Sequence, residues 1–147
     1  MRLYRSVGDV EFNKLMQELP ILGLYNNSLE SQNTDNNDNV ICCSATEFKI
    51  HDKRHKFDLI LEIPEDRILN IYKGTYYVSK ETLKTHVWSG RRGNSTLLIP
   101  EVVIKGYTIK DVVFVETCMR YADHWFYSNV QPILKKYHIE TNDPRMK

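Results

Sequence analysis

Residues 97–116 read LLIPEVVIKGYTIKDVVFVE and predict two β-strands joined by a glycine-containing connection. Residues 112–116 form the strongest strand prediction in the chain, because β-branched and aromatic residues are enriched in strands. The earlier strand, residues 97–104, contains Pro100, which cannot donate a ladder hydrogen bond. This strand is therefore predicted to lie at a sheet edge or to carry a bulge.

Further elements extend outward from this pair. A first helix is predicted from Asp9, as N-cap, to a stop at Pro20, because Phe12, Leu15, Met16 and Leu19 recur at helical spacing. A last helix is predicted over 118–137, kinked or divided at Pro132. Additional strands are predicted at residues 3–5, 40–44, 57–63, 68–72 and 76–78, and Leu3 and Arg5 share a face opposite Tyr4. The order helix, strands, helix predicts an α+β fold with mostly antiparallel pairing.

Size and composition indicate an ordinary globular protein. The chain has 147 residues, 41% of them hydrophobic and 27% charged, with a net charge of +1. This length predicts a single domain over 1–147, and the near-neutral charge gives no global field for nucleic acid or membranes. No apolar run is long enough to cross a bilayer, and no secretory signal is predicted at the start. Three cysteines, two of them adjacent, argue against a disulfide framework, so a reduced cytoplasmic protein is expected.

One segment is predicted to be an exposed, mobile loop. Residues 26–39 read NNSLESQNTDNNDN and contain a single leucine to bury. Such a composition does not repay the entropy of ordering. The segment is interpreted either as a tolerated insertion or as a lid over a substrate.

Several common chemistries find little support in the sequence. There is no G-x-G-x-x-G or G-x-x-x-x-G-K-[ST] phosphate cradle and no C-x-x-C pair. His51 and His55 stand at i, i+4, but the surrounding lysines and arginines would repel a cation, so no metal is expected. Cys43 could act as a nucleophile with His55 as base, whereas its apolar strand favours a buried structural cysteine.

Four short stretches together resemble the mono-ADP-ribosyltransferase fold of the Arg-Ser-Glu class, in a compact toxin- or phage-type form. Residues 3–6 (LYRS) are similar to its first-strand arginine motif, and residues 44–46 (SAT) to its serine motif. Residues 57–69 (FDLILEIPEDRIL) resemble the strand and acidic turn that follow, and residues 100–106 (PEVVIKG) resemble the glutamate motif. The resemblance implies two small, largely antiparallel sheets that form a cleft, with an N-terminal and a C-terminal helix.

The resemblance also implies an activity, the transfer of ADP-ribose from NAD to a macromolecular acceptor with release of nicotinamide. Arg5 would bind the phosphates through its planar fork, and Ser44, supported by Thr46, would contact the nicotinamide ribose. Glu101 would stabilise the positive charge that develops on the ribose. An aromatic wall for the nicotinamide would come from Phe48, Tyr76 and Tyr77. Glu47, Glu62 and Glu116 compete with Glu101 for the catalytic place.

The acceptor is where the chain departs from many arginine-modifying members of this class. They carry Glu or Gln two positions before the catalytic glutamate, where this chain has Ile99. The upstream loop contains Trp88, Arg91 and Arg92, which suit base stacking and phosphate contacts, so RNA or DNA is the hypothesised acceptor. A toxin-type member would also have an antitoxin or inhibitor partner.

Two other functions stay open on the sequence. The first is a non-catalytic module that binds nucleic acid or protein through the Trp88–Arg92 loop and the Asn-rich loop. The second is a nuclease or phosphotransferase that uses His55 or His86 with Arg5, which requires these side chains to converge in space.

Overall fold

The strands of this protein form one large and one small sheet. The computed structural model describes residues 1–23, 40–47, 57–78, 97–117 and 122–146, and for 72–78 and 97–100 it describes the backbone alone. The strands are β1 (Arg2–Val7), β2 (Ile21–Leu22), β3 (Ile41–Ser44), β4 (Phe57–Glu62), β5 (Ile68–Val78), β6 (Leu97–Ile104), β7 (Gly106–Tyr107), β8 (Val112–Thr117) and β9 (Glu140–Thr141). The helices are α1 (Asp9–Met16), α2 (Asp123–Trp125) and α3 (Gln131–Lys136), with a π-helical turn at Phe126–Val130. Short 3₁₀ turns lie at Glu65–Arg67, Ile109–Asp111 and Pro144–Met146.

The large sheet has seven strands in the order β5-β6-β3-β1-β4-β8-β9, and β2 pairs with β7 in the small sheet. Every pairing is antiparallel except that between β8 and β9. The predicted α+β class with two largely antiparallel sheets is therefore confirmed, although the two sheets are very unequal in size.

The large sheet has very little strand pairing at its centre, between β1 and β3. Six register pairs join β1 to β4 and four join β3 to β6, whereas a single pair, Tyr4 opposite Ser44, joins β1 to β3. We call the β1–β3 junction the seam. It divides the sheet into a half formed by β5, β6 and β3 and a half formed by β1, β4, β8 and β9.

The core lies on one face of the large sheet, which we call the helix-covered face. Leu3 and Val7 on β1 alternate onto it and are almost completely buried. Phe12 on α1 stacks on Phe57 of β4 with ring centroids 3.8 Å apart, and Trp125 lies 6.2 Å from Phe12. The C-terminal helical segment adds the buried residues Phe126, Val130 and Leu134. The predicted apolar stripes of both helices thus supply the core that holds them on the sheet.

Both ends of the first helix differ from the prediction: its N-cap lies one residue earlier, and its last helical residue is Met16. Gly8 is the N-cap and Asp9 is the first helical residue, so the prediction of Asp9 as N-cap is wrong by one position. At the other end Glu18 adopts a left-handed conformation with φ of 61°, and the Leu19 N–H bonds the Lys14 carbonyl at 2.9 Å. This closure turns Leu19 out of the stripe, and its side chain is 44% exposed.

The two prolines have different outcomes. Pro100 does not place β6 at an edge, because β6 lies between β5 and β3. It falls instead at a register irregularity, where Tyr72 pairs with Glu101 and Tyr76 with Ile99, so the predicted bulge lies in this strand pair, with the extra residues on β5 rather than on β6. Pro132 stands in the first turn of α3, directly after the π-helical turn, and the predicted division of the last helix is also confirmed.

Candidate functional site

Ser44 and Glu101, two of the predicted site residues, face each other across the β3–β6 pair. Tyr4 lies opposite Ser44 on β1, so Tyr4, Ser44 and Glu101 form one row across the seam. Register partners share a face and side chains alternate along a strand, so this row lies on the face opposite Leu3 and Val7. We call these three residues the Tyr4 row. It brings an aromatic ring, a hydroxyl and a carboxylate onto one surface.

The carboxylate of Glu101 has a partner from the neighbouring position on β3. Cys42 occupies the same face as Ser44, diagonal to Glu101, so its thiol lies beside the Glu101 carboxylate. Burial raises the pKa of the Cys42 thiol to about 12, and the hydrogen bond and the charge of Glu101 act in the same direction. The thiol therefore keeps its proton over the whole physiological range of pH.

Ser44 is used locally. Its side chain is 1% exposed, and its Oγ accepts a hydrogen bond from the Thr46 N–H at 3.0 Å and donates to the Thr46 carbonyl at 2.5 Å. These bonds fix the turn in which β3 leaves the sheet, while Thr46 itself is exposed. Ser44 thus anchors the backbone beside Glu101, and its predicted contact with a ribose stays a prediction.

Arg5 leaves β1 from the helix-covered face, away from the Tyr4 row. Its Nε and Nη2 atoms each donate to a different carboxylate oxygen of Glu11 at 2.8 Å, and its Nη1 donates to the Cys42 carbonyl at 2.7 Å. The side chains of Arg5 and Glu11 are only 14% and 3% exposed. The structure does not bring Arg5 together with Ser44 and Glu101 on one surface, and its phosphate contact also stays a prediction.

A tyrosine completes the buried network around Arg5. The Tyr107 hydroxyl donates to Oε2 of Glu11, and the Tyr107 side chain is 1% exposed. Burial alone would lower the pKa of Arg5, but the charge and hydrogen bonds of Glu11 raise it well above its ordinary value. Burial, followed by the charge of Glu11, likewise raises the pKa of Tyr107. We call Arg5, Glu11 and Tyr107 the buried triad, which holds one positive and one negative charge.

Glu11 was not among the predicted site residues, although its position in the sequence indicates it. Glu11 stands four positions before Leu15, on the apolar stripe of α1, where a carboxylate is costly to bury unpaired. Arg5 was predicted on the same strand face as Leu3, so a buried guanidinium needed a counter-ion. Two opposite charges that stand beside apolar residues, Arg5 with Leu3 and Glu11 with Leu15, indicate an ion pair. Tyr107 gave no comparable signal.

Several predicted site residues lie outside the described part of the chain. These are Phe48 and the acceptor-loop residues Trp88, Arg91 and Arg92, together with His51, His55 and His86 of the alternative functions and the 26–39 loop. Tyr76 and Tyr77 are described by their backbone, which pairs with Ile99 and Leu98 on β6. Their registers lie on the β6 segment that leads into Glu101, and their role as an aromatic wall stays a prediction.

The three competing carboxylates are placed differently from Glu101. Glu62, at the end of β4, pairs with Arg2 at 3.0 Å and is 46% exposed. Glu47 and Glu116 line a small recess next to Tyr4, together with Asp58, which is buried and accepts a hydrogen bond from Ser6. Of these carboxylates, Glu101 alone is the register partner of Ser44.

Cys43 is placed as a core residue. It alternates onto the helix-covered face, is 5% exposed, and burial raises the pKa of its thiol to about 12. A thiol in this environment holds its proton and is a poor nucleophile. The structural interpretation of Cys43 is therefore favoured over the nucleophilic one.

The two thiols predict a pH dependence of stability. In the unfolded chain they lose their protons near the ordinary value of 9.0, whereas in the folded chain both pKa values are raised to about 12. Raising the pH from 9 towards 12 therefore favours the unfolded state, and the free energy of unfolding falls across this window. Denaturant titrations below and within the window measure the loss. The Cys42→Ser/Cys43→Ala variant should lose less than the unmodified chain, and an equal loss contradicts the assignment.

A larger cavity, of about 550 Å³, lies elsewhere, between the end of β8 and the C-terminal segment. Its Arg145 donates to both carboxylate oxygens of Asp143 and to Asp123, and the guanidinium lies 4.1 Å above the Phe126 ring. These contacts of the Arg145 guanidinium hold the C-terminal segment against the helices. We therefore assign Arg145 a structural role.

Within the described ranges, no cluster of three or more His, Cys, Asp or Glu residues is arranged for metal binding. None of the helices described has the length and apolar character needed to span a membrane. Comparisons of the chain with protein-family models, curated proteins and solved structures found no match.

Proposed function

We propose that this protein transfers ADP-ribose from NAD to a macromolecular acceptor and releases nicotinamide, with Glu101 as the catalytic residue. The observation that carries the proposal is the register that sets Glu101 opposite Ser44, with Tyr4 next in the row. The sequence resemblance pairs a serine motif with a glutamate motif, and these two motifs lie on adjacent antiparallel strands. The supporting fact is thus a long-range pairing, between residues 57 positions apart (101 − 44).

The transfer of ADP-ribose is favoured by a negative charge beside the ribose. Breaking the bond between nicotinamide and ribose develops positive charge on the ribose, as in glycoside hydrolysis. A fixed carboxylate stabilises this charge more in the transition state than in the ground state. Glu101 is half-buried, so part of its solvent screening is removed. In the proposal it stabilises the developing charge and accepts a proton from the acceptor nucleophile.

The neighbours of Glu101 have supporting roles. The Cys42 thiol lies diagonal to Glu101 and stays protonated beside the carboxylate. Ser44 fixes the exit of β3 through its bonds to Thr46, and Tyr4 offers a ring to a planar group bound on this face. A phosphate contact by Arg5 competes with Glu11, which already neutralises its charge and accepts two of its N–H groups. The proposal therefore rests on the Tyr4 row rather than on Arg5.

Binding and turnover of NAD test the proposal. At a hundredfold excess over its dissociation constant, NAD should add about 2.7 kcal/mol to the free energy of unfolding, which raises Tm by roughly 5–10 °C for a chain of this size. Nicotinamide release is then followed by chromatography. Adenosine triphosphate serves as a control for nonspecific phosphate binding. If NAD produces neither a shift in Tm nor free nicotinamide, the proposed activity is wrong.

The acceptor class needs a separate arm of the experiment. NAD labelled in the adenine ring is incubated with the protein and with pools of RNA, DNA and protein, each pool alone. Label in RNA or DNA supports the nucleic-acid acceptor that the sequence suggests. Label confined to the protein pool contradicts that acceptor and leaves the transferase activity in place.

A further inference from the structure

The seam is held by a side chain where strand pairing ends. Only Tyr4 and Ser44 are register partners between β1 and β3. Two residues before Ser44, the Cys42 carbonyl accepts the Arg5 Nη1–H at 2.7 Å. The guanidinium thus takes the place of a strand N–H and links the two halves of the sheet.

The guanidinium that makes this link has a fixed orientation. Both carboxylate oxygens of Glu11 accept from Arg5, and the two-point contact sets the plane of the guanidinium. The Tyr107 hydroxyl in turn holds the Glu11 carboxylate. Glu11 belongs to α1 and Tyr107 to β7, so elements outside the large sheet determine where Arg5 meets β3.

The strand segment held in this way carries the contacts of the proposed site. The Cys42 carbonyl accepts from Arg5, and the Cys42 side chain lies diagonal to Glu101 across the β3–β6 pair, so one residue borders both the buried triad and the carboxylate on the other face. Ser44, two residues on, faces Glu101 directly. A shift of β3 at Cys42 therefore moves both neighbours of Glu101.

We propose that Glu11 and Tyr107 are positioning residues, which act through Arg5 and Cys42 to set β3, and with it the surroundings of Glu101. This inference rests on the proposed function for its catalytic consequence, while the tie across the seam stands on the contacts alone. The buried triad thus has a role besides ion pairing in the core. Through it, the positions of α1 and β7 affect the position of β3 and of the Tyr4 row.

Hydrogen exchange tests the Arg5–Cys42 link across the seam independently of any activity. Tyr107→Phe removes one hydrogen bond to a charged group and keeps the ring in place. Exchange of the amides in 40–47 is expected to rise at least about tenfold relative to those in β4 and β8. Asp111→Asn is the matched control, because Arg67 forms a second two-point pair with Asp111 and also donates to a strand carbonyl, that of Gly106 at 3.0 Å. The control should leave the relative exchange of 40–47 unchanged.

A fully apolar triad separates positioning from stability. The Arg5→Met/Glu11→Leu/Tyr107→Phe variant removes every charge and hydroxyl together, a replacement that buried ion networks often tolerate. We expect it to fold with faster exchange at 40–47. If Tyr107→Phe and the folded triple variant both keep the exchange pattern of the unmodified chain, the positioning role is wrong, as it is if both accelerate all segments equally.

Turnover supplies the second readout. Where the unmodified chain releases nicotinamide, Tyr107→Phe should lower kcat about 10- to 100-fold and leave KM within about twofold, since misplacement of a reacting group weakens the transition state rather than NAD binding. A raised KM at constant kcat contradicts positioning. If the unmodified chain does not turn over NAD, the proposed function fails, and the exchange result decides the structural tie by itself.

Discussion

Glu11→Ala is expected to lower the free energy of unfolding by about 3–5 kcal/mol, because it leaves the Arg5 guanidinium buried without its counter-ion. The Arg5 side chain is 14% exposed, so water reaches little of the charge that Glu11 now neutralises. The Tyr107 hydroxyl loses its acceptor in the same variant. A loss of this size should lower Tm by roughly 10 °C, measured by thermal unfolding together with denaturant titration.

The chain contains a matched control for this prediction on the same strand. Arg2 also lies on β1 and also pairs with a glutamate, Glu62, at 3.0 Å, but the two side chains are 57% and 46% exposed. Exposed pairs contribute little, so Glu62→Ala should change the free energy of unfolding by only about 0–1 kcal/mol. Similar losses in the two variants would show that burial of the Arg5–Glu11 pair does not matter as argued.

The strands could be predicted because their patterns are local. Phe57, Leu59 and Leu61 alternate onto the core face as their spacing requires, and all three are buried. The same alternation correctly set Leu3 and Arg5 on one face of β1, opposite Tyr4. That local rule also separates Arg5 from Ser44 once Ser44 is known to pair with Tyr4. The pairing itself depends on contacts across the sheet, and no local pattern specifies it.

Errors at the element ends have the same origin. Leu19 continues the helical spacing of α1, yet Glu18 turns left-handed, and its carboxylate accepts hydrogen bonds from Lys136 and Tyr137 at the C-terminal end of the helical segment. Pro100 predicted either an edge strand or a bulge, because its missing N–H needs an unpaired neighbour. In the structure, the irregular part of β5 lies opposite Pro100. β5 and β6 become neighbours only through long-range folding, so the sequence around Pro100 could not specify this arrangement.

The candidate site shows the same division between local and long-range information. Ser44 and Glu101 could be chosen from short motifs, and their juxtaposition then followed from the pairing of β3 with β6. The Cys42 contact with Glu101 could not be anticipated, since it depends on the diagonal register between the two strands. Buried charges are the exception. Glu11 lies beside the apolar stripe of α1 and Arg5 shares a strand face with Leu3, and charges at such positions indicate a partner even in a single sequence.

Glu101→Gln is expected to lower the rate of nicotinamide release from NAD about 100- to 1,000-fold, the loss typical when one electrostatic contact to a developing charge is removed. Glutamine preserves the shape of the side chain and its contact with the Cys42 thiol, while removing the negative charge. KM for NAD should change little, because the ground-state ribose carries no full positive charge. Single-turnover and steady-state measurements of nicotinamide release separate these two effects.

Glu140→Gln is the control for this substitution, since Glu140 is an exposed strand carboxylate on β9, at the far edge of the same sheet. It should turn over NAD at the rate of the unmodified chain. Both variants should keep the Tm of the unmodified chain within a few degrees, so that a loss of rate in Glu101→Gln reports chemistry rather than unfolding. If Glu101→Gln releases nicotinamide as fast as Glu140→Gln, the catalytic carboxylate is another residue. Glu116, on the same face next to Tyr4, is then the next to replace, because it lies within the recess that Tyr4 lines.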